Sequence, residues 1–411
     1  MTLRWLLKAI NGIIAALLVA FVASAYWFAW RPLPRTSGQL TAPVSARAVV
    51  SRDDLGVPHV LSATLPDVFF VQGYVTAQDR LFQMDAMRRR AAGELADVIG
   101  ASALESDRLM RRLRLARIAD EYSRRLPAAD RAVLAAYARG VNYFLESHQG
   151  RLPLEFSLLR YDPRPWSITD SLLAYLTLVE TLEGSWLREL RKENLLDAGD
   201  AGKVNVLMPS LLDGETRPGS NAWAISGAHT ASRRPLLAGD PHLELGMPSV
   251  WHMVHLRGPR LNVIGVTVPG LPGVLIGHNE RIAWSITSLE YDVQDLYVEK
   301  LDPASGRYEY SGRLEQARLE RELIRVRRGP TDTTITWVTR HGPVVAAEGG
   351  RSLSLRWTAA DPTGIQLPIL DLNRAANWND FRAALARLPG PAVNFVYADA
   401  AGNIGYQAAG R

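Results

Sequence analysis

The sequence predicts an α+β protein in which a mainly helical first half is followed by an exposed spacer and a strand-rich second half. Three observations predict it. Apolar residues recur at steps of three and four from Leu65 to about residue 197. Residues 198–219 lose that period, collect Asp, Gly, Lys, Pro, Glu and Thr, and end in Arg217-Pro218-Gly219. From Asn221 onward, short apolar runs are cut by turn signals at short intervals, as antiparallel sheets require.

At the N-terminus, Arg4 and Lys8 precede an uncharged run from Ala9 to Trp30, with Arg31 and Arg35 beyond it. At about 1.5 Å per residue such a run is long enough to cross a bilayer core. Two readings of residues 1–30 stay open. A signal peptide would be cut at the small residues Ala23-Ser24-Ala25. A signal anchor would keep residues 9–30 in the inner membrane, with Tyr26, Trp27 and Trp30 at its outer interface; it is the favoured reading. Either one exports the remainder to the periplasm or cell envelope. Residues 31–44, which include Pro32 and Pro43, read as a tether.

Alternation from Ala46 to Ser51 breaks at Asp53-Asp54 and Gly56 and resumes through Val60, which predicts a short hairpin. Phe70, Tyr74, Ala77, Leu81 and Met84 then share one face of an amphipathic helix, weakened at Gly93 and stopped at Gly100. Leu134, Tyr137, Val141 and Phe144 mark a second helix. Leu172 to Leu182 mark a third, after Pro165 and the capping candidate Thr169. Residues 45–197 therefore form the helical region, 198–219 the spacer and 220–411 the sheet-rich region. Strands are predicted over 221–226, 235–238, 250–256, 261–266, 274–276, 282–287, 322–326, 334–338 and 353–357. A helix from Trp378 to Leu388 precedes a last hairpin, Asn394–Tyr397 with Ile404–Tyr406. An unpaired edge there leads us to expect that the natural product continues past Arg411.

Composition narrows the chemistry. A chain of 411 residues with 47% hydrophobic and 22% charged residues has room for two or three domains and a sizeable core. Its net charge of +5 is modest. The arginine runs at 88–90 and 111–112 sit among acidic residues in helical stretches, so they read as solvated helix faces and not as a nucleic-acid surface. Cysteine is absent, which excludes disulfides, thiolate metal sites and a cysteine nucleophile. The sequence contains no Gly-x-Ser-x-Gly elbow, His-Glu-x-x-His, P-loop or Gly-x-Gly-x-x-Gly motif. His252 and His255 lie on one predicted strand at a spacing that puts them on opposite faces, which argues against a shared metal. His278 stands at a turn and reads as structural.

What remains is Pro218-Gly219-Ser220-Asn221-Ala222-Trp223, where a glycine-bearing spacer runs into a serine that opens a strand. A serine hydroxyl is a weak nucleophile without a base beside it. Cutting the bond before Ser220 would give that residue a free α-amine, whose unperturbed pKa of about 7.7–8.0 suits a base near neutral pH.

This junction, together with Gly239-Asp240-Pro241-His242, Gly277-His278-Asn279 and Trp284-Ser285-Ile286-Thr287, resembles the penicillin acylase family of N-terminal nucleophile hydrolases. The likeness extends to Arg52-Asp53, Gly56-Val57-Pro58-His59, Gln72-Gly73-Tyr74 and Ala77 to Met84, and onward to Tyr397-Ala398-Asp399 and Gly402 to Gly405. It implies a precursor that cuts itself at Gly219–Ser220, a four-layer αββα sandwich (here incomplete), and α and β chains that stay associated. It implies Ser220 as nucleophile, His242 beside it, and the Ser288 backbone N–H as one oxyanion donor. The second donor of the family, a distal Asn side chain, falls beyond this sequence. Leu243, Ile276 and Ile286 map near the acyl pocket, with Glu290 at its entrance. No organic cofactor is implied. Asp292 and Asp295, with Glu189 as a partner from the helical half, match carboxylates that hold a structural calcium in some members. The substrate implied is a small N-acyl amide of the penicillin, cephalosporin or acyl-homoserine-lactone type. The alternative is a non-catalytic, envelope-anchored binding or structural protein that retains the fold.

Overall fold

The structure, a computed structural model, describes residues 2–208, 219–243, 245–289, 291–348, 350–361 and 366–410. Helix α1 (Thr2–Ser24) continues into a π-helical turn, Ala25–Trp30. From Leu3 to Trp30 this element has a mean hydropathy of 2.3 and is wholly exposed, so its length and composition suffice to cross a membrane; a signal sequence has the same character. Next comes the hairpin β1 (Ala48–Arg52) and β2 (Pro58–Ser62).

The helical region holds α2 (Leu65–Ala92), α3 (Ala96–Ile99), α4 (Leu104–Leu113), α5 (Leu115–Arg125), α6 (Ala128–Ser147), α7 (Leu154–Leu159), α8 (Ile168–Glu183), α9 (Trp186–Ala198) and α10 (Ala201–Leu207). Thr64 opens α2 by accepting the Asp67 N–H, and Pro66 fits the first turn, where its missing N–H costs nothing. Helices α2 and α6 cross at glycines. A Cβ on Gly73 would lie 2.1 Å from the Tyr137 carbonyl oxygen, and one on Gly140 would lie 1.8 Å from that of Phe70. Each glycine costs about 1 kcal/mol in a helix interior; the close approach buries Phe70, Tyr137 and Val141 in return.

Three expectations are corrected here. Helix α2 ends at Gly93, in the left-handed region at φ 66°, and not at Gly100. Helix α8 is capped by Ser167, not Thr169, through a reciprocal box with Asp170. The span read as an aperiodic spacer contains α10, capped by Asp200, while residues 209–218 lie outside the described residues.

The sheet-rich region supplies β3 (Asn221–Ile225), β4 (Leu236–Asp240), β5 (His252–Gly258), β6 (Leu261–Thr267), β7 (Ile276–Asn279), β8 (Ile282–Ser288) and β9 (Gln294–Glu299). It continues with β10 (Arg307–Tyr310), β11 (Arg313–Gln316), β12 (Arg318–Ile324), β13 (Asp332–Val338), β14 (Val344–Glu348) and β15 (Arg351–Trp357). Helices α11 (Ile369–Arg374) and α12 (Trp378–Leu385) precede β16 (Val393–Asp399) and β17 (Ile404–Ala409). The nine predicted strands and the last hairpin are all present, with shifted ends. Strands β9, β10, β11 and β14 and the short α11 were not predicted.

Eight strands form the main sheet in the order β1-β2-β5-β6-β7-β8-β16-β17. All neighbours are antiparallel except β2 and β5, which run parallel with His59 opposite His255. One face of this sheet packs on helices: Val60, Val254, Leu256, Val263, Trp284 and Phe395 join Phe69, Phe70 and Phe381 in a single buried cluster. The chain is thus a mixed α+β fold, helical first and sheet-rich second, and the first hairpin belongs to the same sheet as the last.

Candidate active site

Ser220 is the last residue before β3, half-buried, and follows the exposed Gly219. Strands β3 and β4 form a hairpin in which Asn221 faces Asp240 and Ala222 faces Gly239. Just past Asp240 the chain turns at Pro241, and the backbone N–H of His242 donates to the Ser220 hydroxyl at 3.2 Å. The contact is made by the His242 backbone. Its ring turns the other way, with Nε2 on Asp240 Oδ2 at 2.8 Å. The sequence set His242 beside Ser220, and missed Asp240 as the ring's partner. Asp240 stands in the same Gly-Asp-Pro-His block, so its signal was available.

The hairpin lies on β8 and β16 through small residues. A Cβ on Gly239 would sit 1.7 Å from Ser285 Oγ, so only glycine lets β4 approach β8 this closely. That contact also fixes which sheet face meets the hairpin. Residues opposed in antiparallel strands share a face. Ser285 opposes Val396, Thr287 opposes Asn394, and Val396 opposes Tyr406, so this set faces the hairpin. Ile286 opposes Phe395 and lies on the other face, in the cluster with Trp284 and Phe381. Ile286 is therefore a core residue beneath α12. Ile276 alternates with His278, which opposes Ala283, and its half-buried side chain also packs against the cluster that holds Ile286. Leu243, half-buried, directly follows His242. Glu290 lies outside the described residues.

The end of β8 is held from two sides. Asn394 Nδ2 donates to Thr287 Oγ1 and to the Ser288 carbonyl, each at 3.0 Å, and Asn394 Oδ1 accepts from the Tyr406 hydroxyl at 2.7 Å. The Leu289 N–H donates to the Ala392 carbonyl at 3.2 Å. That single bond fits a ladder in which Ser288–Val393 is the wide pair, whose N–H groups point away from one another. The Ser288 N–H is directed off β16 on the side where the described β7–β8 pairing has already ended, at Gly277–Trp284. Ala392 in turn donates its N–H to Glu183 Oε1 at 3.0 Å, so the last residue of α8 sets the start of β16. Burial pushes the Glu183 carboxyl above its usual range, against the opposing pull of the Trp357 and Ala392 donors.

This geometry places a serine at the head of a hairpin, an N–H on its hydroxyl, and the end of β8 in the sheet beneath. A family model for penicillin amidase matches residues 47–411.

The chain belongs to the penicillin amidase family.

It is 34% identical over 365 residues to the penicillin acylase 2 proenzyme of Pseudomonas sp. (strain SE83), covering 79% of this chain and 47% of that protein. It is 32% identical over 431 residues to the acyl-homoserine lactone acylase QuiP of Pseudomonas fluorescens (strain Pf0-1), covering 94% and 53% respectively. The chain spans about half the length of these curated relatives. Among solved structures, a thermostable penicillin G acylase from Alcaligenes faecalis superimposes with a TM-score of 0.43 at 29% identity, over 46% of this chain and 35% of that one. That overlap is too partial to support any argument about the site.

The carboxylates assigned to calcium do not assemble in this member of the penicillin amidase family. Among the described residues, no group of three or more His, Cys, Asp or Glu side chains is gathered so as to hold a metal ion. Asp292 is exposed in a connection, Asp295 is exposed on β9 opposite Arg356, and Glu189 lies on α9. His252 and His255 separate as expected: His252 is buried against Asp79 at 3.2 Å, while His255 Nδ1 meets His59 Nδ1 at 2.8 Å on the other face.

Proposed function

We propose that the whole protein hydrolyses an N-acyl amide through Ser220, after the Gly219–Ser220 bond is cut. The observation that carries this reading is the seat of Ser220: an exposed bond on its N-terminal side, and its hydroxyl fixed by the His242 N–H. In the uncut chain the serine nitrogen is an amide and cannot act as a base. Once freed as an amine, it takes the hydroxyl proton while Ser220 Oγ bonds to the acyl carbon. The amine product leaves with that proton. Water, activated by the same α-amine, then breaks the ester and releases the acid. The Ser288 N–H supplies one donor to the tetrahedral oxyanion, and Asp240 orients the His242 ring at the rim.

Two features support an apolar acyl group. Leu243 and Ile276, which map near the acyl pocket, are aliphatic, and relatives at 31–34% identity bear the names penicillin acylase and acyl-homoserine lactone acylase. On this reading β3 and β4 begin a second sheet layered on the first, giving the inner layers of an αββα sandwich. The apolar helix α1 exports the protein, and residues 1–208 stay bound to the part that follows the cut.

The test is intact mass and N-terminal sequencing of the full-length product beside a Ser220→Ala variant. A new N-terminus at Ser220, absent from the variant, is expected. A folded chain that stays whole across Gly219–Ser220 would sink the reading and favour an envelope-anchored binding protein.

A further inference from the structure

At the opposite end of β8 from Ser288, the β5–β6 turn, the β7–β8 turn and the end of α11 enclose a cavity of about 460 Å³. Seven residues of β8 separate the two ends, which at about 3.3 Å per residue is roughly 20 Å. The lining holds four arginines, Arg257, Arg260, Arg281 and Arg374, against a single carboxylate, Glu280. Glu280 is already engaged, accepting from Asn262 Nδ2 at 2.8 Å. Among the described residues none of the four guanidinium groups is ion-paired. Other arginines that lie near carboxylates are paired with them: Arg108 with Asp332, Arg111 with Glu322, Arg114 with Glu320.

Among the described residues, two buried polar atoms in this same lining lack partners. Ser62 is only 3% exposed, and its hydroxyl has no hydrogen-bond partner. Arg374 spends Nη2 on the Pro259 carbonyl at 3.0 Å, which leaves a buried Nε–H with no acceptor. Native proteins rarely leave such groups unmet. Burial, with Arg260 adding to it, also lowers the affinity of the Arg374 guanidinium for its proton, against the weaker pull of Asp371. Asp371 itself is taken by Arg387. Like charges gathered without counter-charges are costly, and a multivalent oxyanion relieves all of these defects together.

We infer that this cavity is a binding site for a phosphate group, separate from the Ser220 region and independent of the acylase reading. Arg281, Arg257 and Arg260 supply the field, Arg374 Nε–H the buried donor, and Ser62 a hydroxyl donor at the floor. The group comes either as the free ion or on an anionic lipid headgroup; the recognising chemistry is the same.

The test is calorimetric titration of the whole protein with inorganic phosphate at low ionic strength. A parallel arm measures binding to phosphatidylcholine vesicles with and without phosphatidylglycerol. Saturable binding is expected in at least one arm, weakened tenfold or more by Arg281→Gln and by Arg257→Gln. Both residues are exposed, so these variants keep the fold even if Arg374→Ala does not. Ser62→Ala is expected to weaken binding severalfold at unchanged circular dichroism. Saturation by phosphate alone marks the free ion as the source; variant-sensitive preference for phosphatidylglycerol marks the lipid. No saturable binding in either arm, or binding that the arginine variants leave unchanged, overturns the proposal. Processing at Ser220 is read by mass in the same samples and is expected to be untouched.

Discussion

Gly239 shows how much a single missing methyl can decide. With no side chain it lets β4 settle on Ser285, and that contact fixes the height of the Ser220 hairpin above β8. Gly239→Ala must push the hairpin off or displace Ser285, an overpacking cost of about 1–3 kcal/mol. The expected result is a lower Tm and slowed cleavage at Gly219–Ser220. Pairing it with Ser285→Gly, which removes the colliding Cβ and Oγ, should restore both; a double variant as impaired as the single one would contradict this placement. At this scale the sequence was readable where residues sit close in the chain. Ser220, Gly239 and His242 stand in two short blocks. Asn394 and Tyr406, which hold the end of β8, were not readable, because they reach it only through cross-strand register. The face that Ile286 takes was not readable for a related reason. Alternation says that it faces away from Ser285 but not which face the hairpin covers, and the Gly239 contact supplies that second fact.

Among the elements, α2 carries the heaviest electrostatic demand. Asp85, 1% exposed, accepts from Arg88 Nε at 2.9 Å, Arg89 Nε at 2.8 Å and the Tyr161 hydroxyl at 2.8 Å. Arg88, equally buried, also reaches Asp170 of α8 at 3.3 Å. Burial works to raise the Asp85 carboxyl, but the two guanidinium groups outweigh it and hold it below the usual range. Asp85→Asn leaves those charges short of a partner, an expected loss of about 3–5 kcal/mol by denaturant unfolding. The sign with pH follows. A depressed carboxylate stabilises the fold above its unfolded value of about 3.9 and loses that contribution as the pH falls through its lower folded value. The gap between wild type and variant should therefore be full at neutral pH and close progressively below about pH 4. The arginine run at 88–90 had read as a solvated helix face, and two of its three members are buried. Charge patterning along one helix does not reveal that a carboxylate and a second helix wait on the inner side. Missed strands have a comparable cause. Strand β9 buries Gln294 and Glu299 at its ends, and β10 and β11 are short with exposed, charged faces, so none shows apolar alternation.

Across the whole molecule, the helical region and the sheet-rich region are joined by more than the apolar core. Arg108 and Arg111 on α4, Arg114 between the helices and Arg117 on α5 meet Asp332, Glu322 and Glu320 on β12 and β13. Glu320 is 7% exposed and takes Arg114 through two bonds of 2.9 Å. Glu320→Gln removes the charge from that fork and should cost about 1.5 kcal/mol, the low end for hydrogen bonds to charged groups. The loss should shrink in 1 M salt, where the wild-type pairs at the rim are screened as well. A loss unaffected by salt would assign the contact to packing instead. The order of helical and sheet-rich regions was legible from periodicity alone. The return of the first hairpin to the main sheet was not, since a parallel partner some two hundred residues away leaves no local mark.

That return has a consequence for how the molecule can be made. Strands β1 and β2 precede Gly219, yet β2 lies beside β5, which follows it. While the chain is whole, closing this sheet is a first-order event with a loop to close. Once the bond is open, the same sheet belongs to two molecules, and regaining it from the denatured state becomes second order in concentration. On the proposed reading, cleavage therefore has a direction in time. The fold would have to be reached before the bond is broken, and a processed sample, once unfolded and diluted, would have lost the instruction that built it.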